Sequence, residues 1–90
     1  MRKPFLAGNW KMNLARRSAL ELALAIREHV ARDRGTAETV DVAVAPPFVY
    51  VDEVARALVG SPVAVGGQNC CDEDKGAFTG EVSAAMLVDV

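Results

Sequence analysis

Long apolar runs are missing from this sequence. No window approaches the roughly 18 apolar residues that a membrane-spanning helix needs. The opening stretch MRKPFLAGNWKMN does not read as a signal peptide, because its apolar part is short and Asn9 and Lys11 interrupt it. Clustered basic charge is missing too. The basic residues form no run longer than the pairs Arg2-Lys3 and Arg16-Arg17, and the formal net charge is −2. Nucleic acid and anionic membranes select a basic patch, so neither is an expected partner. Histidine is reduced to His29, inside a helical pattern and without a paired acid or nucleophile; it reads as a surface histidine rather than a general base. Cysteine is reduced to the neighbours Cys70 and Cys71, which make neither a disulfide framework nor a zinc spacing. Free thiols in a reducing cytoplasm are the expectation. Gly66-Gly67 is followed by no further glycine spacing and no helix start, so it is not a dinucleotide-binding turn. Asp72, Glu73 and Asp74 lack the glycine and terminal glutamate of a calcium loop and read as a solvated surface.

What is present alternates between two periods. The 90 residues are 51% hydrophobic and 24% charged, which suits a globular chain rather than a disordered one. Phe5-Leu6-Ala7 reads as a short buried strand. The stretch 15–32 places Ala19, Leu22, Ala23, Ile26 and Val30 on one helical face, with Asn13 or Ser18 as candidate caps and Gly35 as the expected helix stop. Val40–Ala45 reads as a second strand, ended by Pro46-Pro47. A second helical stripe holds Val51, Val54, Ala55 and Leu58, closed by Gly60-Ser61-Pro62. VAVGGQN, from Val63 to Asn69, reads as a third strand. Apolar runs such as VAVA suit strands covered on both faces, and strands separated by helices imply right-handed crossovers and a parallel sheet. Then the periodicity stops. Residues 70–81 form a loop of about a dozen residues, where connections of about 2–6 are usual. Phe78 looks like an anchor that orders this loop, and Ser83 caps a further helix.

Three groups are candidates for function. Asn9 and Lys11 stand at the carboxyl end of the first strand, where parallel α/β folds bind ligands. An ammonium there holds a phosphate or an oxyanion, or it is simply a solvated lysine past a strand. Gln68 and Asn69 follow the third strand. They either buttress that same face or, the reading favoured by amide chemistry, tie the base of the long loop to nearby backbone. Thr79-Gly80-Glu81 closes the loop as an ordinary turn before a helix, or carries Thr79 into another subunit.

Taken together, FLAGNWKMN, APPFVYVDEV and GGQNCCDEDKGAFTGEVSAAML resemble the triosephosphate isomerase family through essentially the whole chain. The resemblance implies an α/β fold: the first three βα units, with parallel strands, of a (β/α)8 barrel, residues 1–90 being the N-terminal part of a single barrel domain. It implies interconversion of dihydroxyacetone phosphate and D-glyceraldehyde 3-phosphate through an enediol(ate), in glycolysis and gluconeogenesis, with no metal or organic cofactor. By family match Asn9 and Lys11 bind the triose phosphate substrate, and Lys11 is also the catalytic residue that offsets its negative charge. Gln68, Asn69, Phe78, Thr79, Gly80 and Glu81 match a homodimer interface, with Thr79 near the Asn9 and Lys11 of a second subunit. Ala84 stands where the family often has proline, and Cys71 where an aromatic is common. The family's catalytic histidine and glutamate match no residue here, so the isolated chain is expected to be inactive. Two other readings stay open: a non-catalytic piece that pairs with a complementary chain through its open sheet edges, and a small unrelated phosphate-binding α/β module.

Overall fold

The computed structural model describes residues 2–90, with Arg34 described by its backbone alone. Three strands form one parallel sheet in the order β1-β2-β3: β1 is Phe5–Asn9, β2 is Asp41–Ala45 and β3 is Ala64–Val65. The β1–β2 register runs from Phe5 opposite Asp41 to Asn9 opposite Ala45, and β3 pairs Ala64 with Ala43 and Val65 with Val44. Between the strands lie α1 (Arg16–Arg32), α2 (Arg34–Thr39) and α3 (Phe48–Ala57), and α4 (Ala84–Asp89) follows the long loop. No helix among the described residues is long and apolar enough to cross a membrane.

The helices form where small and branched apolar residues recur on one side. Ala19, Ala23 and Val30 of α1 are buried, and Ala23 has no exposed surface. Small residues here let α1 pack closely against α3, which buries Val51 and Val54. Both helices share one core with Val44, Leu58, Val63 and Trp10. Leu22, expected on the buried face of α1, is exposed, so the face is narrower than the sequence spacing implies. The last turn of α3 is closed from outside: Arg27 Nη1 donates to the Ala57 carbonyl at 2.6 Å. That satisfies one of the carbonyls a helix end leaves open.

Several boundaries differ from the sequence reading. β1 continues through Gly8 to Asn9, because the register with β2 carries the ladder to Ala45. Neither Asn13 nor Ser18 caps α1. Ala15 holds the cap position without a side-chain bond, and Ser18 Oγ accepts from the Ala15 N–H at 2.9 Å, the reverse half of a capping box. Asn13 instead donates to the Trp10 carbonyl. Gly35 does not stop a helix but lies inside α2, where Thr39 Oγ1 bonds its carbonyl at 2.7 Å. The third strand shrinks to Ala64–Val65 plus one further ladder bond, from the Gly66 N–H to the Val44 carbonyl. Ser83 does cap α4, accepting from the Met86 N–H at 3.2 Å, with Ala84 as the first helical residue.

The sheet is covered on one side only in part. Every residue of β1 is exposed, with Phe5 at 64% and Leu6 at 60%, although alternation places those two on opposite faces. An accessible surface of 6640 Å² exceeds the roughly 5,100 Å² expected of a self-contained monomer of this mass. A radius of gyration of 14.1 Å likewise exceeds the roughly 12 Å expected of a compact domain of this length. The chain is therefore more open than a self-contained domain of this length.

The buried and exposed valines of α3 give a direct check on the core. Val54 is 1% exposed and Val49 81%. Val54→Ala is expected to lower stability by about 1.5–3 kcal/mol, and Val49→Ala by less than about 0.5 kcal/mol. Urea unfolding followed by the fluorescence of Trp10, the single and buried tryptophan, measures both.

Candidate functional site

Because all three strands are parallel, their carboxyl ends gather on one rim, and the segments after β1, β2 and β3 meet there. Trp10 follows β1 and turns inward: it is 8% exposed, and its N–H donates to the Ala45 carbonyl at 3.1 Å. Its ring plugs the core, and the chain therefore has to reverse direction at the next residue to reach α1. Lys11 makes that reversal with φ 54. A lysine in the left-handed region is uncommon, and such a conformation costs about 1–3 kcal/mol unless its surroundings impose it.

The surroundings do impose it. Asn9 Oδ1 accepts from the Lys11 N–H at 2.9 Å, a local side-chain turn. Gln68, arriving from beyond β3, donates its Nε2 to the Lys11 carbonyl at 2.8 Å and to the Ala45 carbonyl at 2.9 Å. Both backbone polar groups of Lys11 are thus held by side chains. The ammonium is left outside. Among the described residues the ion pairs are formed by Lys3, Arg16, Arg17, Arg32 and Arg56, and none by Lys11. A cation on a backbone fixed from both sides, exposed and without a carboxylate partner, is chemically suited to receive an anionic ligand.

The structure therefore brings Asn9, Lys11 and Gln68 together. Asn69, next in sequence to Gln68, is exposed and joins none of these bonds. Phe78, Thr79, Gly80 and Glu81 lie elsewhere, in the exposed loop that leaves the rim after Asn69. That loop is pinched at its stem, where the Cys71 N–H donates to the Val82 carbonyl at 2.7 Å and Cys71 bridges to Ser83. Near the tip the Glu81 N–H bonds the Phe78 carbonyl, and Gly80 has φ 89, a conformation that glycine adopts without steric cost. Phe78 folds over Gly76 within the loop but stays 47% exposed, so it orders the tip without burying itself. Both cysteines are free. His29 lies exposed on α1. No group of three potential metal ligands occurs among the described residues.

A groove of about 590 Å³ lies away from this site, between α3, β3 and α4, lined by Val51, Leu58, Val63, Val65, Leu87 and their apolar neighbours. It presents no ionisable side chain and no chemistry for an anion. Two further residues join the Lys11 turn: Asn13, which the sequence offered only as a helix cap, and Tyr50, which it gave no role. Asn13 and Tyr50 both hydrogen-bond carbonyls of the segment after β1, at Trp10 and Leu14 respectively. No periodicity signals such contacts, because they answer a backbone conformation that the sequence does not display.

Comparison with known proteins agrees with this architecture. The sequence profile described as Triosephosphate isomerase matches residues 4–90. A triosephosphate isomerase of Rhodopirellula baltica is 47% identical over 99% of this chain and 34% of that protein. One from Rubrobacter xylanophilus is 51% identical over the same shares. The crystal structure of triosephosphate isomerase from Bartonella henselae superposes with a TM-score of 0.79 at 35% identity, over 98% of this chain and 34% of that one. The chain thus spans about a third of the length of the relatives it matches. Its fold is the α/β section of a TIM barrel, and the chain belongs to the triosephosphate isomerase family.

Proposed function

We propose that residues 1–90 supply the first three βα units of a triosephosphate isomerase, and within it the cationic part of the substrate site. The reaction is the interconversion of dihydroxyacetone phosphate and D-glyceraldehyde 3-phosphate through an enediol(ate), in glycolysis and gluconeogenesis in the cytoplasm. The observation that carries this reading is the Lys11 turn: a left-handed backbone held by Asn9 and Gln68, with its ammonium unpaired at the carboxyl rim. Lys11 binds the substrate and offsets negative charge in two places, on the phosphate dianion and on the enediolate oxygen where it develops. The second is the catalytic part, because it grows toward the transition state. Asn9 holds the turn through its oxygen, and its Nδ2 remains the group that faces substrate. By family match, proton transfer falls to a histidine and a glutamate to which no residue among these ninety corresponds. No cofactor is required by this chemistry.

The long loop serves assembly in this reading. Gln68 and Asn69 form its base, and Phe78, Thr79, Gly80 and Glu81 its tip, which enters a second subunit and sets Thr79 near the Asn9 and Lys11 of the partner subunit. Its continuous exposure over Asp72–Glu81, with a stem stiffened at Cys71, supports a projecting arm. Homodimerisation would then complete each substrate site, not merely join two barrels.

Both halves of the proposal are testable in a full-length hybrid that joins residues 1–90 to the remaining two thirds of the Rhodopirellula baltica relative. Lys11→Ala is expected to lower kcat/KM by about a hundredfold or more in a coupled isomerase assay. Near-normal kinetics would remove Lys11 from the site. Thr79→Arg places a bulky cation in the proposed arm. It is expected to convert a dimer to a monomer in light scattering and to lower activity with it, whereas an unchanged dimer would exclude the arm from the interface.

A further inference from the structure

Residues 11–14 form a hook between β1 and α1 whose two ends are both left-handed: Lys11 has φ 54 and Leu14 φ 78. Leucine in that region is a genuine outlier. Packing does not hold the hook, since Met12 is 94% and Leu14 42% exposed. Hydrogen bonds do. Asn9 and Gln68 hold the Lys11 end, and Asn13 Nδ2 closes the middle onto the Trp10 carbonyl at 2.8 Å. The Leu14 end rests on a contact from a different element. The Tyr50 hydroxyl, on the first turn of α3, donates to the Leu14 carbonyl at 3.2 Å across 36 residues of sequence. The Tyr50 ring packs against the core cluster, and its N–H bonds the Pro47 carbonyl at 2.9 Å. The first turn of α3 thus presents one hydroxyl to the Leu14 end of a strained hook.

We infer that Tyr50 is a positioning residue for Lys11, holding the Leu14 carbonyl so that the hook keeps both left-handed residues and the ammonium stays aimed at its anion. The inference rests on the anion-binding role of Lys11 proposed above. Without the hydroxyl, Leu14 relaxes toward an ordinary φ, and the hook that carries Lys11 loses one of its two fixed ends. The ammonium then samples a wider volume, and an active-site charge displaced by about 1 Å is much less effective.

Tyr50→Phe tests this in the full-length hybrid, because it keeps the ring and its packing. The expected result is a fall in kcat/KM of about three- to tenfold, with a similar rise in the inhibition constant of inorganic phosphate. Leu14→Gly removes the left-handed penalty at the far end, so the clamp becomes dispensable. The double variant is therefore expected to match Leu14→Gly alone within about twofold. Unchanged kinetics and phosphate inhibition in Tyr50→Phe would overturn the inference. So would an equal loss with and without Leu14→Gly, since a merely structural tyrosine would not depend on the conformation of residue 14. Lys11→Ala run in parallel separates the two levels. If it is impaired while Tyr50→Phe is not, only the clamp fails; if it behaves normally, the role of Lys11 fails first.

Discussion

A single amide group joins the ends of three strands. Gln68 leaves β3 and donates to the carbonyl of Ala45, which ends β2, and to that of Lys11, just beyond β1. Each such bond is worth about 0.5–1.5 kcal/mol net, so the pair is comparable to the strain of one left-handed residue. Without it the rim would have no common fixed point. The Lys11 carbonyl would lose its partner, and the segment after β1 would keep only its bonds to Asn9, Asn13, Tyr50 and the Ala45 carbonyl. The parallel sheet supplies the rim, the buried Trp10 forces the reversal, and the Gln68 amide holds the reversal in place.

Much of this was legible in the sequence, and the failures share a cause. The α1 and α3 stripes, the Val40–Ala45 strand, which starts one residue later at Asp41, and the Ser83 cap were readable because periodicity and a capping hydroxyl report them directly. The Lys11 position stood out because a cation follows an apolar strand at once. Family motifs then added the substrate, which spacing could not. Gly35 misled because glycine usually marks a helix end, yet α2 begins one residue before it. Ser18 misled because a serine bonded to a helix start need not be the cap itself. The run Val63–Asn69 looked like a long strand, but ladder bonds need a neighbour, and only Ala64–Gly66 meet one in β2. The left-handed pair at Lys11 and Leu14 left no trace in composition, since glycine or asparagine would be the usual signal.

The open surfaces fit the same picture. An apolar strand exposed on both faces is a liability unless another strand and another layer cover it. In β1 the exposure of Phe5 and Leu6 comes with a free outer edge, and β3 has the same on its far side. The relatives that the chain matches are about three times as long. The section is nevertheless organised around a core of its own, in which α1 and α3 clasp Trp10 and Val44. That core fixes the rim geometry locally, so the Lys11 turn is shaped within these ninety residues.

The most direct measurement is a crystal structure of the full-length hybrid with a triose phosphate bound. The account predicts that Lys11 keeps a positive φ, that Gln68 still bridges Lys11 and Ala45, and that the Lys11 Nζ lies within hydrogen-bond reach of a ligand oxygen. A bound ligand with that amine turned to solvent, or with the turn relaxed to negative φ, would contradict it.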